Sequence, residues 1–258
     1  MKKDYITTAF RALADLLIPR KCIVCSEKLS LDEKHICRWC RDEMPLTRFW
    51  QVSHNAMADK FNDGIQKKLE MQWDRSICED VGKRRHERYA FAAALFFFNN
   101  DADYKRIPYR IKYEDDIPAG RHFGAVLGQM LSQAEWAKDI DVVIPVPLHW
   151  RRRWKRGYNQ AEVIAEGVAD ELGVPVCCNI LKRTRNTKTQ VKLDIAEKSS
   201  NVEGAFSATF QEGISHILLI DDVFTTGSTL GECFWALREV FPPSVRISVA
   251  TLGFVGRA

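Results

Sequence analysis

One stretch near the C-terminal end of this 258-residue chain constrains its fold more than any other. Four apolar residues, Ile217 to Ile220, run directly into Asp221 and Asp222, and a loop of threonine, glycine and serine follows. The apolar run predicts a buried strand, and the pattern from Leu230 onward predicts a helix. The stretch therefore predicts a strand, a polar loop and a helix N-terminus in direct succession, which is typical of α/β folds.

The polar loop has the composition of an anion site. Unpaired backbone N–H groups and the helix dipole favour phosphate at a helix N-terminus, and the loop adds hydroxyl donors and a glycine that admits close approach. The two adjacent carboxylates can accept hydrogen bonds from vicinal hydroxyls or hold Mg²⁺ through water. A plain acidic helix cap is the alternative, but a cap needs neither a double acid nor three threonines. The predicted phosphate residues here are Thr225, Thr226, Gly227, Ser228 and Thr229.

Strands and helices alternate along the second part of the chain. This alternation predicts a parallel sheet with right-handed crossovers and flanking helices, in which ligands collect at the carboxyl ends of strands. The predicted strands are 90–98, 141–146, 174–181, 215–220 and 245–254, and the predicted helices are 119–136, 159–172 and 230–240.

Four of the eight cysteines have the spacing of a metal site. Cys22, Cys25, Cys37 and Cys40 form C-x2-C-x11-C-x2-C, which predicts a closed, tetrahedral site for structural Zn²⁺. Reduced cysteines without a metal are the alternative. A redox role for either pair is disfavoured, because neither lies on a thioredoxin-like βαβ pattern.

Positive charge is concentrated in two loops, although the net charge of the chain is only +4. Residues 151–192 contain ten Lys and Arg against four Asp and Glu, which indicates a polyanionic ligand. Arg151 and Arg156 lie in the first loop, and Arg183 and Lys188 lie in the second, a candidate lid. The alternative for the first loop is a solvated basic loop with packed tryptophan, and the alternative for the second is a disordered surface loop. The first loop also interleaves tryptophan with arginine, which suits single-stranded nucleic acid.

The chain divides by composition into three parts. Residues 1–45 hold an amphipathic helix over 7–17 and the cysteine unit, 46–89 are a linker or insertion with an exposed charged helix over 67–88, and 90–258 form the α/β domain. No apolar run approaches the ~20 residues that span a membrane, so we expect no membrane insertion and a cytoplasmic location.

The stretch from Ile217 to Thr229 resembles the phosphoribosyl-pyrophosphate (PRPP) motif of type I phosphoribosyltransferases, an apolar run followed by D-D-x-x-T-T-G-x-T. Together with its other loops, the chain is similar over most of its length to the ComF family, the competence-associated branch of that superfamily. The stretches that carry this resemblance are the four-cysteine unit, 111–113, 145–149, 156–161, 183–190, 201–206 and 221–227. Lys198 stands where the family often has arginine, which keeps the charge but loses the bidentate fork.

The resemblance implies a type I phosphoribosyltransferase-like α/β fold with an N-terminal zinc ribbon. It implies that Asp221 and Asp222 hold the ribose hydroxyls of PRPP, with Mg²⁺, and that the 225–229 loop holds the 5′-phosphate. Displacement of pyrophosphate by an unidentified acceptor is the implied reaction, in association with DNA uptake. The alternative is a non-catalytic, PRPP-dependent adaptor for single-stranded DNA and DNA-uptake proteins, and a homodimer is possible in either case. A PRPP-sensing regulator is disfavoured, because no DNA-reading helix is evident.

Overall fold

The computed structural model describes residues 19–75, 87–98, 103–184 and 204–256. The helix expected over 7–17 lies outside the described residues, as do Lys188, Lys198 and most of the second basic loop.

A four-stranded parallel sheet forms the centre of the protein. Its strands are β1 (Ala92–Phe97), β2 (Val142–Pro145), β5 (His216–Phe224) and β6 (Arg246–Phe254), in the order β1-β6-β5-β2. Nearly every residue of these strands is buried, as expected for a parallel sheet covered on both faces. The predicted α/β class, a parallel sheet with flanking helices and a small cysteine-bearing unit, is confirmed.

Two pairs of helices flank the sheet. α4 (Ile117–Leu131) follows β1 and packs against α6 (Gln160–Leu172), whereas α7 (Ser228–Arg238) follows β5 and packs against α2 (Ala56–Arg75). The connection from β1 to β2 runs across the sheet in the opposite direction to the connection from β5 to β6. Because such crossovers are right-handed, the two pairs cover opposite faces.

The remaining helices are short and lie beside the sheet. They are α1 (Arg38–Asp42) in the cysteine unit, α3 (Arg106–Tyr113) before α4, and α5 (Trp150–Arg156) after β2.

The strand predicted over 174–181 is wrong. Only Val176 pairs with the sheet, through a single bridge to Val143, and the chain then bends. The next strand, β3 (Leu181–Arg183), instead pairs antiparallel with β4 (Phe206–Ala208) in a separate two-stranded sheet. An apolar, β-branched run favours extended backbone but does not specify its partner.

The helix expected over 67–88 begins earlier, at Ala56, and residues 76–86 of that prediction lie outside the described residues. The first half of α2 buries Met57, Phe61 and Ile65, which are spaced four residues apart on one face, whereas residues 66–71 are exposed or half-buried. Buried side chains from Cys22 to Phe254 form one continuous core, so this helix contributes to the main domain. The proposed domain boundaries at 45 and 89 stay a prediction.

Hydrogen bonds link a serine, a histidine and an aspartate at the opposite edge of the sheet from the 225–229 loop. His216 Nδ1 lies 2.8 Å from Asp139 Oδ1, and its Nε2 lies 2.8 Å from Ser248 Oγ. Ser248 is completely buried, so no substrate can reach its hydroxyl. The arrangement joins the starts of β5 and β6 and is structural.

Candidate functional site

The acid pair lies at the carboxyl end of β5. The strand runs past the predicted end at Ile220 and keeps Asp221 in register with Thr251 of β6. Asp221 Oδ1 accepts the N–H of Asp222 at 2.9 Å, and Asp222 Oδ1 accepts the N–H of Val223 at 2.8 Å. These local hydrogen bonds fix both carboxylates at the strand end, where ligands of parallel sheets bind.

Lys112 is the direct counter-charge of the pair. Its Nζ lies 2.5 Å from Asp222 Oδ2, and the Asp222 side chain is only 6% exposed. Burial disfavours the charged lysine, but Asp222 outweighs that cost and raises the pKa of Lys112. Motif analysis did not single out Lys112 as a site residue, although it lies in the 111–113 stretch of the family resemblance.

Asp221 differs from its neighbour in its charge environment. Burial, reinforced by the Asp222 carboxylate, raises the pKa of Asp221 to about 7, against the opposing effect of Lys112 and Arg183. The site therefore holds a carboxyl that ionises near neutral pH. A ligand that brings hydrogen-bond donors or positive charge favours the ionised form.

Residues 225–229, the 225–229 loop, follow the end of β5 and lead into the first turn of α7. Gly227 has φ +79°, and a Cβ there would lie 2.7 Å from Phe224 Cζ. Thr226 Oγ1 and Ser228 Oγ are 2.8 Å apart at the start of α7, and Thr226 Oγ1 also accepts the Ser228 N–H at 3.4 Å. The structure thus brings all five predicted loop residues into one shallow cleft with Asp221.

The first basic loop is partly helical, contrary to the expectation of an irregular loop. Its Arg-rich stretch forms α5, and Gly157, with φ +81°, ends the helix. Arg156 bonds Gln160 Oε1 at 2.5 Å and lies over the ring of Tyr113 at 5.5 Å, beside Lys112. Arg156 therefore contacts the residue that follows Lys112 on α3, whereas Arg151 is exposed and lies 5.2 Å from the ring of Trp150.

Arg183 lies on β3 instead of in a loop, so that part of the prediction is wrong. Its guanidinium lies 5.1 Å from the ring of Phe206 on β4. Its positive charge opposes the rise in the pKa of Asp221 that burial causes. The hairpin therefore brings a second cation toward the acid pair. Lys188, predicted with it, lies outside the described residues.

Aromatic side chains are exposed around α5. Trp150 is 64% exposed, Trp154 is 88% exposed, and Tyr113 of α3 is 64% exposed. Between the two tryptophans, Arg153 pairs with Glu162 at 3.3 Å. Large exposed rings among arginines form a surface suited to stacking with bases.

The four predicted cysteines meet in the cysteine unit. Their sulfur atoms all lie within 4.8 Å of one another, and Cys25 Sγ and Cys37 Sγ are 3.7 Å apart. Four sulfurs at the usual Zn–S distance would be about 3.8 Å apart at the corners of a tetrahedron. Burial opposes ionisation of Cys22, but backbone N–H groups, that of Cys37 first, outweigh it and lower its pKa to about 7. The cluster fits a structural Zn²⁺ ion.

Within the described ranges, no helix combines the length and apolar character needed to cross a membrane.

Curated proteins similar to this chain are associated by name with competence and DNA. Competence protein F of Haemophilus influenzae is 36% identical over 236 residues, which cover 88% of this chain and 94% of that protein. Competence protein ComFC of Bacillus subtilis is 33% identical over 125 residues, covering 47% and 48% of the two chains. DNA utilization protein YhgH of Salmonella typhi is 36% identical over 92 residues, covering 36% and 40%.

Solved structures show weaker similarity. Glutamine PRPP amidotransferase from B. subtilis, complexed with ADP and GMP, has a TM-score of 0.33 at 23% identity over 52% of this chain and 26% of that chain. Adenine phosphoribosyltransferase from Leishmania tarentolae has a TM-score of 0.26 at 14% identity, covering 59% and 76%. No protein-family model matches the chain. At these TM-scores the structural similarity supports no inference, and the sequence relatives alone carry weight.

Proposed function

This chain belongs to the competence protein F family, and we propose from that premise that it binds PRPP at the carboxyl end of β5 and transfers the phosphoribosyl group to an acceptor. The observation that carries the proposal is the succession of Asp221, Asp222 and the 225–229 loop on one strand end. The names of its relatives add the expectation that this chemistry serves DNA uptake.

The acid pair suits the ribose of PRPP. The 2′- and 3′-hydroxyls are hydrogen-bond donors, and Asp221 and Asp222 are adjacent acceptors that backbone N–H groups hold in place. Lys112 occupies Asp222 Oδ2, so Asp221 is the acid with more capacity for a ligand. Hydroxyl donors stabilise the charged form of Asp221, and binding therefore releases a proton.

The 225–229 loop suits the 5′-phosphate. The N–H groups of the first turn of α7, together with the hydroxyls of Thr225, Thr226, Ser228 and Thr229, supply donors for a phosphate at the start of the helix. The pyrophosphate of PRPP would then face the cations on the sheet side, with Arg156, Lys112 and Arg183 as its binding residues.

Catalysis by these residues is electrostatic. When pyrophosphate leaves C1, positive charge develops on the ribose and negative charge on the leaving group. The acids face the first and the arginines face the second, so fixed charges stabilise the transition state. Arg151 and Lys188 are further candidates for the leaving group.

The donor set also fits Mg²⁺. Magnesium prefers carboxylate oxygens and phosphates with several waters, and Asp221 offers carboxylate oxygen at the strand end. When bound with PRPP, Mg²⁺ supplies positive charge to the departing pyrophosphate.

Thermal unfolding with and without PRPP and Mg²⁺ tests the binding. The wild-type melting temperature should rise, since a ligand that binds only the folded state stabilises it. The double variant Asp221→Asn, Asp222→Asn should lose the shift, and Asp170→Asn, an exposed acid paired with Arg121, should keep it. A wild-type protein that is indifferent to PRPP would refute the proposal. Pyrophosphate release across a panel of acceptors then separates turnover from binding.

A second candidate function rests on the exposed tryptophans of α5. We propose that the protein alternatively acts as an adaptor that binds single-stranded DNA on this surface, with PRPP as a ligand and no turnover. Trp154 is 88% exposed beside a run of arginines, so its ring is available to stack on a base.

DNA binding at different salt concentrations tests the adaptor. Affinity for a single-stranded oligonucleotide should fall steeply with salt. Trp154→Ala should cost about 1–3 kcal/mol, whereas Trp39→Ala, an equally solvent-facing tryptophan of the cysteine unit at 75% exposure, should cost little. Binding that ignores salt, or equal losses in both variants, would exclude α5 as the DNA surface.

A further inference from the structure

The 225–229 loop borders a second cleft, between α2 and α7, that the proposed PRPP site does not use. This cleft has a volume of about 230 Å³. It shares Thr226, Gly227 and Ser228 with the first cleft, but its lining does not include Asp221. The two clefts therefore meet at the residues that are proposed to hold the phosphate.

The walls of the second cleft suit a flat, apolar group. Phe61 and Ile65 form one wall, and Trp235 faces them from α7. Gly64 and Gly231 leave the space between the helices open, because a Cβ at either position would meet no atom within 4 Å. The volume lies below the roughly 300–1,000 Å³ of pockets for drug-sized ligands, so it suits one ring system.

The charges of the second cleft favour an anion. Lys60 Nζ donates to the carbonyl of Thr225 at 2.6 Å, which puts a cation where the two clefts meet. Farther along, Lys68 pairs with Glu232 at 2.7 Å. Two lysines against one acid leave a positive excess beside a helix N-terminus.

We propose that the second cleft receives a group joined to the outer side of the phosphate on the 225–229 loop. The ligand class is a ribose 5-phosphate extended through its phosphate by a further phosphate and a nucleoside, as in adenosine diphosphate ribose (ADP-ribose). Lys60 contacts the second phosphate, and the ring packs between Phe61 and Trp235. The inference rests on the proposed function, which puts the 5′-phosphate on this loop.

Calorimetric titration with ribose 5-phosphate, PRPP and ADP-ribose tests the proposal. ADP-ribose should bind wild-type protein about tenfold more tightly than ribose 5-phosphate does. Gly64→Leu, which fills the open space, should remove this difference and leave the affinity for ribose 5-phosphate unchanged. Gln66→Leu introduces the same leucine side chain at an exposed position of α2 outside the cleft, and this variant should keep the tenfold difference.

Gly231→Leu blocks the opposite wall and serves as the second variant, with thermal unfolding as a check that each variant folds. Equal affinities for ribose 5-phosphate and ADP-ribose in the wild type would overturn the proposal, as would a difference that survives in both glycine variants. Failure of the proposed function has a separate signature, since neither ribose 5-phosphate nor PRPP would then bind.

Discussion

At the scale of single residues, Lys112 makes two adjacent acids unequal. Lys112 Nζ pairs with Asp222 Oδ2 at 2.5 Å. The pKa of Asp221 is instead raised, by burial and by the negative charge of Asp222. The acids themselves could be predicted from their sequence motif. Their difference could not, because the lysine comes from a helix more than one hundred residues earlier and meets them only in the tertiary fold.

A first prediction concerns the pH dependence of stability at Asp221. Its pKa is about 7 in the folded protein and about 4 in an unfolded chain. Between these values the folded state binds the extra proton, so the free energy of unfolding falls as pH rises through this window. Asp221→Asn removes that loss. Its free energy of unfolding relative to wild type should therefore rise by about 1–3 kcal/mol from pH 4.5 to pH 8.

Urea unfolding of both proteins at the two pH values measures this gain. Asp170→Asn provides the control for the loss of an exposed, ion-paired acid. A stability difference between Asp221→Asn and wild type that is the same at both pH values would contradict the assignment.

At the scale of elements, the turn from β5 into α7 depends on Gly227. Its φ of +79° belongs to the left-handed region, and the ring of Phe224 fills the space where a side chain would begin. Phe224 is itself buried, so it has no free volume into which to move. The loop can therefore take its shape only with glycine at this position.

A second prediction follows for Gly227→Ala. Left-handed backbone costs alanine about 1–2 kcal/mol, and the contact with Phe224 adds to that loss and distorts the loop. Gly231→Ala is the matched control: its Cβ meets nothing, and it should gain up to about 1 kcal/mol as a helix-interior alanine. Urea unfolding measures both changes. A Gly227→Ala protein as stable as the wild type would show that the loop tolerates a side chain.

Elements with a strong local pattern could be predicted from the sequence, and elements defined by a partner could not. The strand before Asp221 and the helix that Asn159 caps agree with their patterns. The prediction of a strand over 174–181 failed because Val176 makes only a single bridge to β2, whereas Leu181 already pairs with β4, which lies far along the chain. The core face of α2 lies among many charged residues, and only the four-residue spacing of Met57, Phe61 and Ile65 indicates it in the sequence.

At the scale of the whole molecule, the cysteine unit is tied to the sheet. Arg106 of α3 donates to Val24 O at 3.1 Å, and Tyr104 donates to Cys40 O at 2.7 Å. The cluster of four sulfurs could be predicted from the cysteine spacing alone. The hydrogen bonds that dock the cysteine unit could not, because their donors, Tyr104 and Arg106, lie far along the chain, after β1. The possible homodimer stays a prediction.

A third prediction concerns the metal. Purified protein should contain about one Zn²⁺ per chain, and Cys22→Ser should lose it and unfold at a lower temperature, because metal binding supplies folding free energy. Cys178→Ser, an exposed cysteine outside the cluster, should retain both zinc and stability. Elemental analysis and thermal unfolding with a chelator measure these outcomes. Protein purified without zinc, and unaffected by the chelator, would exclude the metal site.

The hairpin of β3 and β4 has a consequence for how this family can vary. Arg183 pairs with Phe206, and Thr184 N donates to Ala205 O at 2.8 Å, so the two ends of the connection between β3 and β4 lie side by side. Because the hairpin already closes the connection, each doubling in the number of intervening residues costs only about 0.6 kcal/mol in chain entropy. A relative whose connection between β3 and β4 differs in length can therefore keep this hairpin, and with it the arginine whose charge acts on Asp221.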